Sequence, residues 1–443
     1  MTATLSRRRG PSLKASARTT PGRYRLWSLA GAVLLLVATV TAWASAATMR
    51  SSTRRAESSS GPVLVATQQL VSSLAAADAA ASAAFLSGKD EDPEQRRLYE
   101  EALGRASQQV QQIASLAGQD ATVGATLGRV STQLTQYAGL VEAARASNKN
   151  ATADANGYLV SAVQLAEQLV AGDVKLLTDG AQSRLGHDQD HRSAGFAVAA
   201  VALLGAVVLL AMGQFRMVRI SRRIVNPPLA LATALALVGF GWLAVANRSS
   251  GNDMSDARRK GYDSIVLTAR LASAGFGAKA AETLALITSD SSQRSEADTL
   301  AAQVSSGAIT GATADAIRAG NDAGVPAGLI RDAAVAADSP RERAAVAEVA
   351  LRWQRYETTV ATLRAASTPA AARAVAVGPA NSDFNGFNFS VQEILGQNQA
   401  QFLDGLGSAA GTTTHLPTVI LLLLVAALAS MFWGFQLRIN DYR

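Results

Sequence analysis

Four long runs without a single Asp, Glu, Lys or Arg constrain this chain more than anything else in it: Leu26–Ala47, Ala194–Gly213, Leu229–Ala246 and Leu416–Leu437. An α-helix rises about 1.5 Å per residue, so roughly 20 residues cross the roughly 30 Å of hydrocarbon in a bilayer. Each run comes near that length, and the third is the shortest. One apolar helix can be the buried helix of a soluble protein, but four uncharged ones are a membrane pattern. Between them lie two long polar segments, 48–193 and 247–415, and outside them three short ones, 1–25, 214–228 and 438–443.

Arginine and lysine orient the spans. Residues 1–25 carry Arg7, Arg8, Arg9, Lys14, Arg18, Arg23 and Arg25 and no acid. The link 214–228 carries Arg216, Arg219, Arg222 and Arg223, again without an acid, and the tail carries Arg438 and Arg443 against Asp441. Of the chain's 41 basic and 34 acidic residues these segments hold 13 and 1, leaving 28 and 33 elsewhere. Because basic loops stay in the cytoplasm, both termini and the link are expected inside and both long segments outside, in a multi-pass protein of a bacterial-type cell membrane. The basic excess is then a topology signal, and no nucleic-acid partner is expected. The basic start, the first apolar run and Ala44-Ser45-Ala46 also have the form of a cleavable secretory signal. That run is long for a signal, however, and has a counterpart deeper in the chain, so it is read as a span.

The counterpart belongs to an internal repeat of the order span, polar segment, span. Gln136-Tyr137, Val141 and Arg145-Ala146 recur 219 residues later as Arg355-Tyr356, Val360 and Arg364-Ala365, and Arg219-Ile220 recurs as Arg438-Ile439. Nearer the start of each segment the offset is about 201, taking Phe85-Leu86-Ser87 to Leu286-Ile287-Thr288. Val123, Leu127, Val130, Leu134, Tyr137, Val141 and Ala144 alternate spacings of four and three, an apolar seam on one helix face. Its partner 219 residues on is Val346, Val349, Trp353, Tyr356, Val360 and Leu363.

Abundant alanine and few aromatics favour helix, and no strand-length alternation interrupts the pattern. Pro62 opens a first helix that stops near Ser87-Gly88, and Asp92-Pro93 supplies a cap and a first-turn proline for a second. The third is the seam, and the fourth runs from near Ala153 towards the second span. The later segment follows the same plan through 263–287, 296–304, 341–366 and 383–406, with a Gly- and Ala-rich connection at 305–340. The expected fold is therefore an all-α membrane protein: four spans and two extracytoplasmic four-helix-bundle-like domains in tandem, covering 48–193 and 247–415.

No chemistry-bearing motif stands out. The chain lacks cysteine, a phosphate-binding Gly-rich loop, His-Glu-x-x-His and Gly-x-Ser-x-Gly, so neither an enzyme nor a cofactor is expected. His187 and His191, four apart on one helix face, are weak metal candidates, with a polar collar beside the membrane as the plainer reading. Asp78 lies on the apolar side of the first helix, and the repeat places Lys279 at the equivalent point. A charge there either contacts a ligand or partner, or borders the seam and reaches water. Phe384, Phe387 and Phe389 concentrate aromatics that could anchor a partner or cap the bundle core. Any cytoplasmic partner must meet Arg216, Arg219, Arg222, Arg223 or Arg438.

An outer helical bundle flanked by spans resembles the sensory half of chemoreceptors and sensor kinases, although 216–228 has no room for their signalling linker. The whole arrangement of basic start, two outer helical domains, Arg-rich link and short tail is similar to the GlnX-type four-span membrane proteins of actinobacteria. That resemblance implies a relay from an extracytoplasmic lipoprotein that binds glutamate or aspartate to the soluble serine/threonine protein kinase G. The expected function is then transmembrane sensing of an extracellular solute, and a homo-oligomer is compatible with it. The alternative is a non-catalytic scaffold or accessory subunit of an envelope or transporter complex.

Overall fold

The computed structural model describes residues 20–89, 91–118, 120–150, 152, 154–221 and 227–440. Among them every regular element is helical and no strand occurs. The helices are α1 Thr20–Arg55, α2 Gly61–Leu86, α3 Pro93–Ala117, α4 Ala121–Lys149, α5 Ala155–Leu169, α6 Lys175–Ser221 and α7 Pro227–Asp256. They continue as α8 Asp263–Thr288, α9 Ser291–Val304, α10 Gly311–Ala319, α11 Leu329–Ala336, α12 Pro340–Arg364, α13 Pro369–Val375, α14 Asn381–Thr413 and α15 Leu416–Asn440. Four π-helical segments, Ala56–Ser60, Val170–Val174, Ala257–Tyr262 and Ala376–Ala380, join α1 to α2, α5 to α6, α7 to α8 and α13 to α14.

Contacts divide the chain into two units, one of residues 1–55, 186–253 and 407–443 and the other of 56–185 and 254–406. The first contains the four apolar runs, and among the described residues four helices are long and apolar enough to cross a membrane. Its core is built at helical spacing from small and branched residues: Ala38, Ala42 and Ala46 on α1, Leu203 and Leu210 on α6, Leu229 and Leu243 on α7, and Ile420, Leu424 and Met431 on α15. Gly31 and Gly239 let α15 side chains approach, because an added Cβ would lie 3.2 Å from Met431 Sδ and 3.6 Å from Leu424 Cδ2. Small residues at such crossings are how helices pack in lipid, where apolar side chains gain little from leaving an equally apolar solvent. Val33, Val201, Trp242 and Phe432 point outward, as lipid-facing side chains do. Thr53 and Thr413 share a buried 2.7 Å hydrogen bond between hydroxyls.

The second unit holds the polar segments, and its helices begin where the sequence signals say. Asp92 and Asp120 accept backbone N–H bonds at the starts of α3 and α4. Ser339 and Glu342 form a reciprocal capping box at the start of α12. The caps Asp120 and Ser339 stand 219 residues apart, as do the helix starts Ala121 and Pro340. Leu127, Val130, Leu134, Tyr137, Val141 and Ala144 are buried along α4, and Val346, Val349, Trp353, Tyr356 and Leu363 along α12. Val123 and Val360 are only partly covered.

The two polar segments do not keep separate cores. Leu64, Leu70, Val130 and Leu134 share one apolar cluster with Ile265 and Phe402, and Ala79 belongs to the cluster around Trp353, Phe384 and Phe387. The cause lies in α2 and α8. Alanine-rich stretches of both, such as Ala77, Ala79, Ala80, Ala81 and Ala83 on α2, are buried on successive residues rather than on one stripe. A helix that is apolar all round is stable only with neighbours on every side.

Candidate ligand pocket

One cavity combines a fixed polar frame with two lysines that pair with no described residue. It lies where the 87–92 loop and the C-terminal turn of α4 meet, has a volume of about 140 Å³, and is lined from α2, α3, α4 and α5. Gly88, at φ 79° in the left-handed region, turns the chain out of α2, and Asp92 restarts it as α3. Arg96, one turn into α3, bonds Glu100 and Glu142, both at 2.6 Å. Arg145, near the end of α4, bonds Glu91 at 2.6 Å and reaches Glu142 at 3.4 Å. Asn148 donates from Nδ2 to the Phe85 carbonyl at 2.8 Å, tying α4 to the end of α2.

Lys89 and Lys149 also line this cavity, and neither makes an ion pair with a described residue. Among the described residues the lining thus holds four cationic side chains and the carboxylate of Glu91, with Glu100 and Glu142 also bonded to the two arginines. Beneath the Arg96 guanidinium, 5.3 Å from its ring centre, sits Tyr99, 2% exposed, whose hydroxyl has no hydrogen-bond partner. Burial, more than the nearby Glu142, pushes that phenol up to about 12, so it remains a donor at any ordinary pH. Such a lining suits a small solute that brings carboxylate oxygens to lysine and arginine and accepts from the phenol.

The 219-residue offset takes Arg145 to Arg364, which is tied down more completely. Its Nη1 bonds Asp298 at 2.7 Å, its Nε bonds Glu282 at 3.1 Å, and its Nη2 also bonds Glu282. The open cavity beside it, about 370 Å³, is lined by Trp353, Tyr356, Glu282, Asp298 and Glu357. In both halves the arginines are held by carboxylates; what the earlier cavity adds is Lys89 and Lys149, which pair with no described residue.

Asp78 and Lys279 occupy different places, and no ion pair joins them. Asp78 on α2 is partly covered, with its Oδ1 sealed from solvent and without a partner. It borders a cavity of about 180 Å³ with Glu167 and Glu296. Burial first, and Glu167 second, push its carboxyl up to about 7. Lys279 is 5% exposed with Nζ over the Phe384 ring, and burial pushes its amine down to about 7.

Phe384 and Phe387 are 1% exposed and stack with Phe276, Trp353 and Tyr356, whereas Phe389 is 73% exposed. Only the last of the three presents itself to a partner. Among the described residues no group of three or more His, Cys, Asp or Glu is placed to hold a metal ion. The side chains of His187, His191, Arg216, Arg219 and Arg438, and Arg222 and Arg223 entirely, lie outside the described residues.

The sequence reading missed Lys89, Arg96, Tyr99 and Lys149. Arg145 it noticed only as a repeat marker. The available signal was an arginine eight residues beyond each seam tyrosine, as Tyr137 with Arg145 and Tyr356 with Arg364.

No curated protein and no solved structure matches the chain. Residues 52–190, under a third of the chain, match the family described as an actinobacterial sensor domain, and this stretch contains every residue lining the basic pocket. The match supports a sensing or signalling role for a multi-pass membrane protein of sensor type.

Proposed function

We propose that the chain is a transmembrane relay whose helical unit lies outside the cytoplasm and takes up a small anionic solute, an acidic amino acid such as glutamate or aspartate. One observation carries this reading: the pocket of Lys89, Arg96, Arg145, Lys149 and Tyr99 falls wholly within the residues that match a sensor domain. A solute-binding lipoprotein could deliver the solute to the pocket, or could itself dock there through acidic side chains. The state passes along α6 and α14–α15, the helices that enter the second and fourth apolar runs. The arginines of the 214–228 link and Arg438 then present it to a cytoplasmic protein kinase or other output protein. A solute shifts such a relay only as far as it binds the two states unequally.

The test is calorimetric titration of the full chain in nanodiscs with glutamate, aspartate and uncharged glutamine. Acidic amino acids should bind, glutamine should bind at least about ten-fold more weakly, and Lys149→Gln should narrow the difference. Lys149 bonds no described acid, so its loss leaves the Arg96 and Arg145 frame standing. Equal affinities for glutamate and glutamine would reject the pocket as a site for acidic solutes.

A further inference from the structure

A wide groove of the helical unit is neutral and lined with amides. It measures about 550 Å³, with a floor from α2 and walls from α3 and α14. On α14 its lining residues include Asn385, Asn388, Gln392 and Gln399, spaced to form one stripe about 20 Å long at the rise of an α-helix. Gln69 and Gln109 face them from α2 and α3.

Several of these amides are incompletely satisfied. Gln69 donates from Nε2 to Gln399 Oε1 at 2.7 Å, which leaves Gln399 Nε2, sealed from solvent, without a partner. Gln109 Oε1 is likewise sealed and without a partner. A buried amide donor or acceptor left unmade is costly, so the unpaired donor of Gln399 on α14 and the unpaired acceptor of Gln109 on α3 mark where a ligand's polar groups belong. The Asn385 side chain makes no hydrogen bond with a described residue.

Two features define the ligand further. Among the described residues the lining's charged groups are Glu94 and Arg105, and each pairs with a neighbour on α3, Glu94 with Arg97 and Arg105 with Glu101. Phe389 lies at its edge with 73% of its surface exposed, in a chain where large aromatics of this unit are otherwise mostly buried. An open ring beside paired amide donors and acceptors fits the apolar face and the hydroxyls of a sugar. A peptide would ask instead for a strand edge or for apolar pockets at alternate positions.

We infer that this groove is a second binding site, for a neutral oligosaccharide, with Phe389 as the stacking platform and Asn385, Gln392, Gln399 and Gln109 as hydrogen-bonding groups. It rests on the proposed function only in placing the unit outside the cytoplasm, and it is independent of the basic pocket. Gly396 supplies a clean probe, because it lines the groove and a Cβ built on it meets nothing within 4 Å. Gly396→Trp should fill the groove without disturbing the helices.

The experiment titrates the full chain in nanodiscs with chitotetraose, with maltotetraose and with an uncharged alanine–glycine hexapeptide. At least one tetrasaccharide should bind. Phe389→Ala and Gly396→Trp should each weaken it about ten-fold or more, with unfolding midpoints unchanged and glutamate binding intact. Failure of both sugars, equal sugar affinity in Gly396→Trp, or binding of the hexapeptide alone would each overturn the assignment. Loss of glutamate binding with retention of sugar binding would count against the basic pocket only.

Discussion

Lys279 holds its amine 4.8 Å from the centre of the Phe384 ring, inside the helical unit, with no carboxylate among the described residues paired to it. Asp78 is its opposite, a carboxyl with a sealed oxygen whose nearest influence is another acid, Glu167. Both are displaced towards neutrality, from opposite sides. Between the ordinary aspartate value of 3.8 and about 7, folded Asp78 keeps a proton that the unfolded chain has lost, so its contribution to stability falls as pH rises. Between about 7 and 10.5 the unfolded chain holds a proton that folded Lys279 has released, so stability rises again with pH. The helical unit should therefore unfold most easily near neutrality. Thermal unfolding in nanodiscs across this range should show that minimum. Asp78→Asn should flatten the acid limb alone and Lys279→Met the alkaline limb alone.

Close helix packing gives a second prediction. A Cβ on Gly261 would lie 2.7 Å from the Phe402 Cα, and one on Gly61 would lie 2.8 Å from the Ala56 carbonyl oxygen. Backbone cannot turn aside as a side chain can, so Gly261→Ala should destabilise the unit by about 1–3 kcal/mol. Gly128, exposed on α4 with nothing within 4 Å, is the control. Gly128→Ala should stabilise by about 0.5–1 kcal/mol through helix propensity alone. Chemical unfolding of both variants should move the midpoint in opposite directions.

Tyr137 supports a third. Its ring fills the seam at 0% exposure, yet its hydroxyl has no partner, and burial pushes the phenol well above its ordinary value. Removing an unsatisfied buried hydroxyl should cost nothing, so Tyr137→Phe should leave stability unchanged or raise it by about 1 kcal/mol. Tyr137→Asp should unfold the seam, since a carboxylate there must be protonated or left unpaired among apolar groups. A clear loss of stability in Tyr137→Phe would mean that water or a bound solute satisfies the hydroxyl.

The sequence showed local features well and meetings between helices poorly. Asp92-Pro93 and the seam residues of α4 and α12 rest on spacing and capping within one element. The basic pocket does not: Lys89, Arg96, Arg145 and Lys149 come from a loop and two helices, and only packing brings them round one cavity. The sharing of cores between the two polar segments was written in α2 and α8, where alanine continues round the helix instead of keeping to one stripe. Alanine hides this, because it is equally at home on a surface and in a tight crossing. Phe384, Phe387 and Phe389 looked alike in sequence, and helical geometry put the first two in the core and the third outside.

Topology yields a fourth prediction. The chain has no cysteine, so single cysteines report without background. Ser367 is exposed and Ser147 partly so, both on the helical unit, and Ser221 stands in the Arg-rich link. Ser147→Cys and Ser367→Cys should react with a membrane-impermeant thiol reagent in intact cells, and Ser221→Cys only after lysis. Labelling of Ser221→Cys in intact cells, with the other two protected, would reverse the orientation drawn from the basic residues.

The last prediction tests the relay itself. If the outer unit receives the solute and the inner arginines present its state, input and output must be separable by mutation. Replacing Arg216, Arg219, Arg222 and Arg223 with glutamine removes the positive surface of the link without touching the helical unit. The same arginines are the expected signal for an inside link, so the cysteine reporters must first show normal insertion of the variant. In correctly inserted protein, glutamate binding should persist at wild-type affinity while solute-dependent recruitment of a cytoplasmic partner, or phosphorylation following it, is lost. Lys149→Gln should do the reverse: partner contact remains, but acidic solute no longer changes it. A scaffold would behave otherwise, since its inner contacts carry no information from outside and neither variant would alter a solute dependence that was never present. Wild-type protein whose cytoplasmic partner is held equally with and without solute would therefore decide for the scaffold, and normal signalling by the inserted glutamine variant would remove these arginines from the output surface.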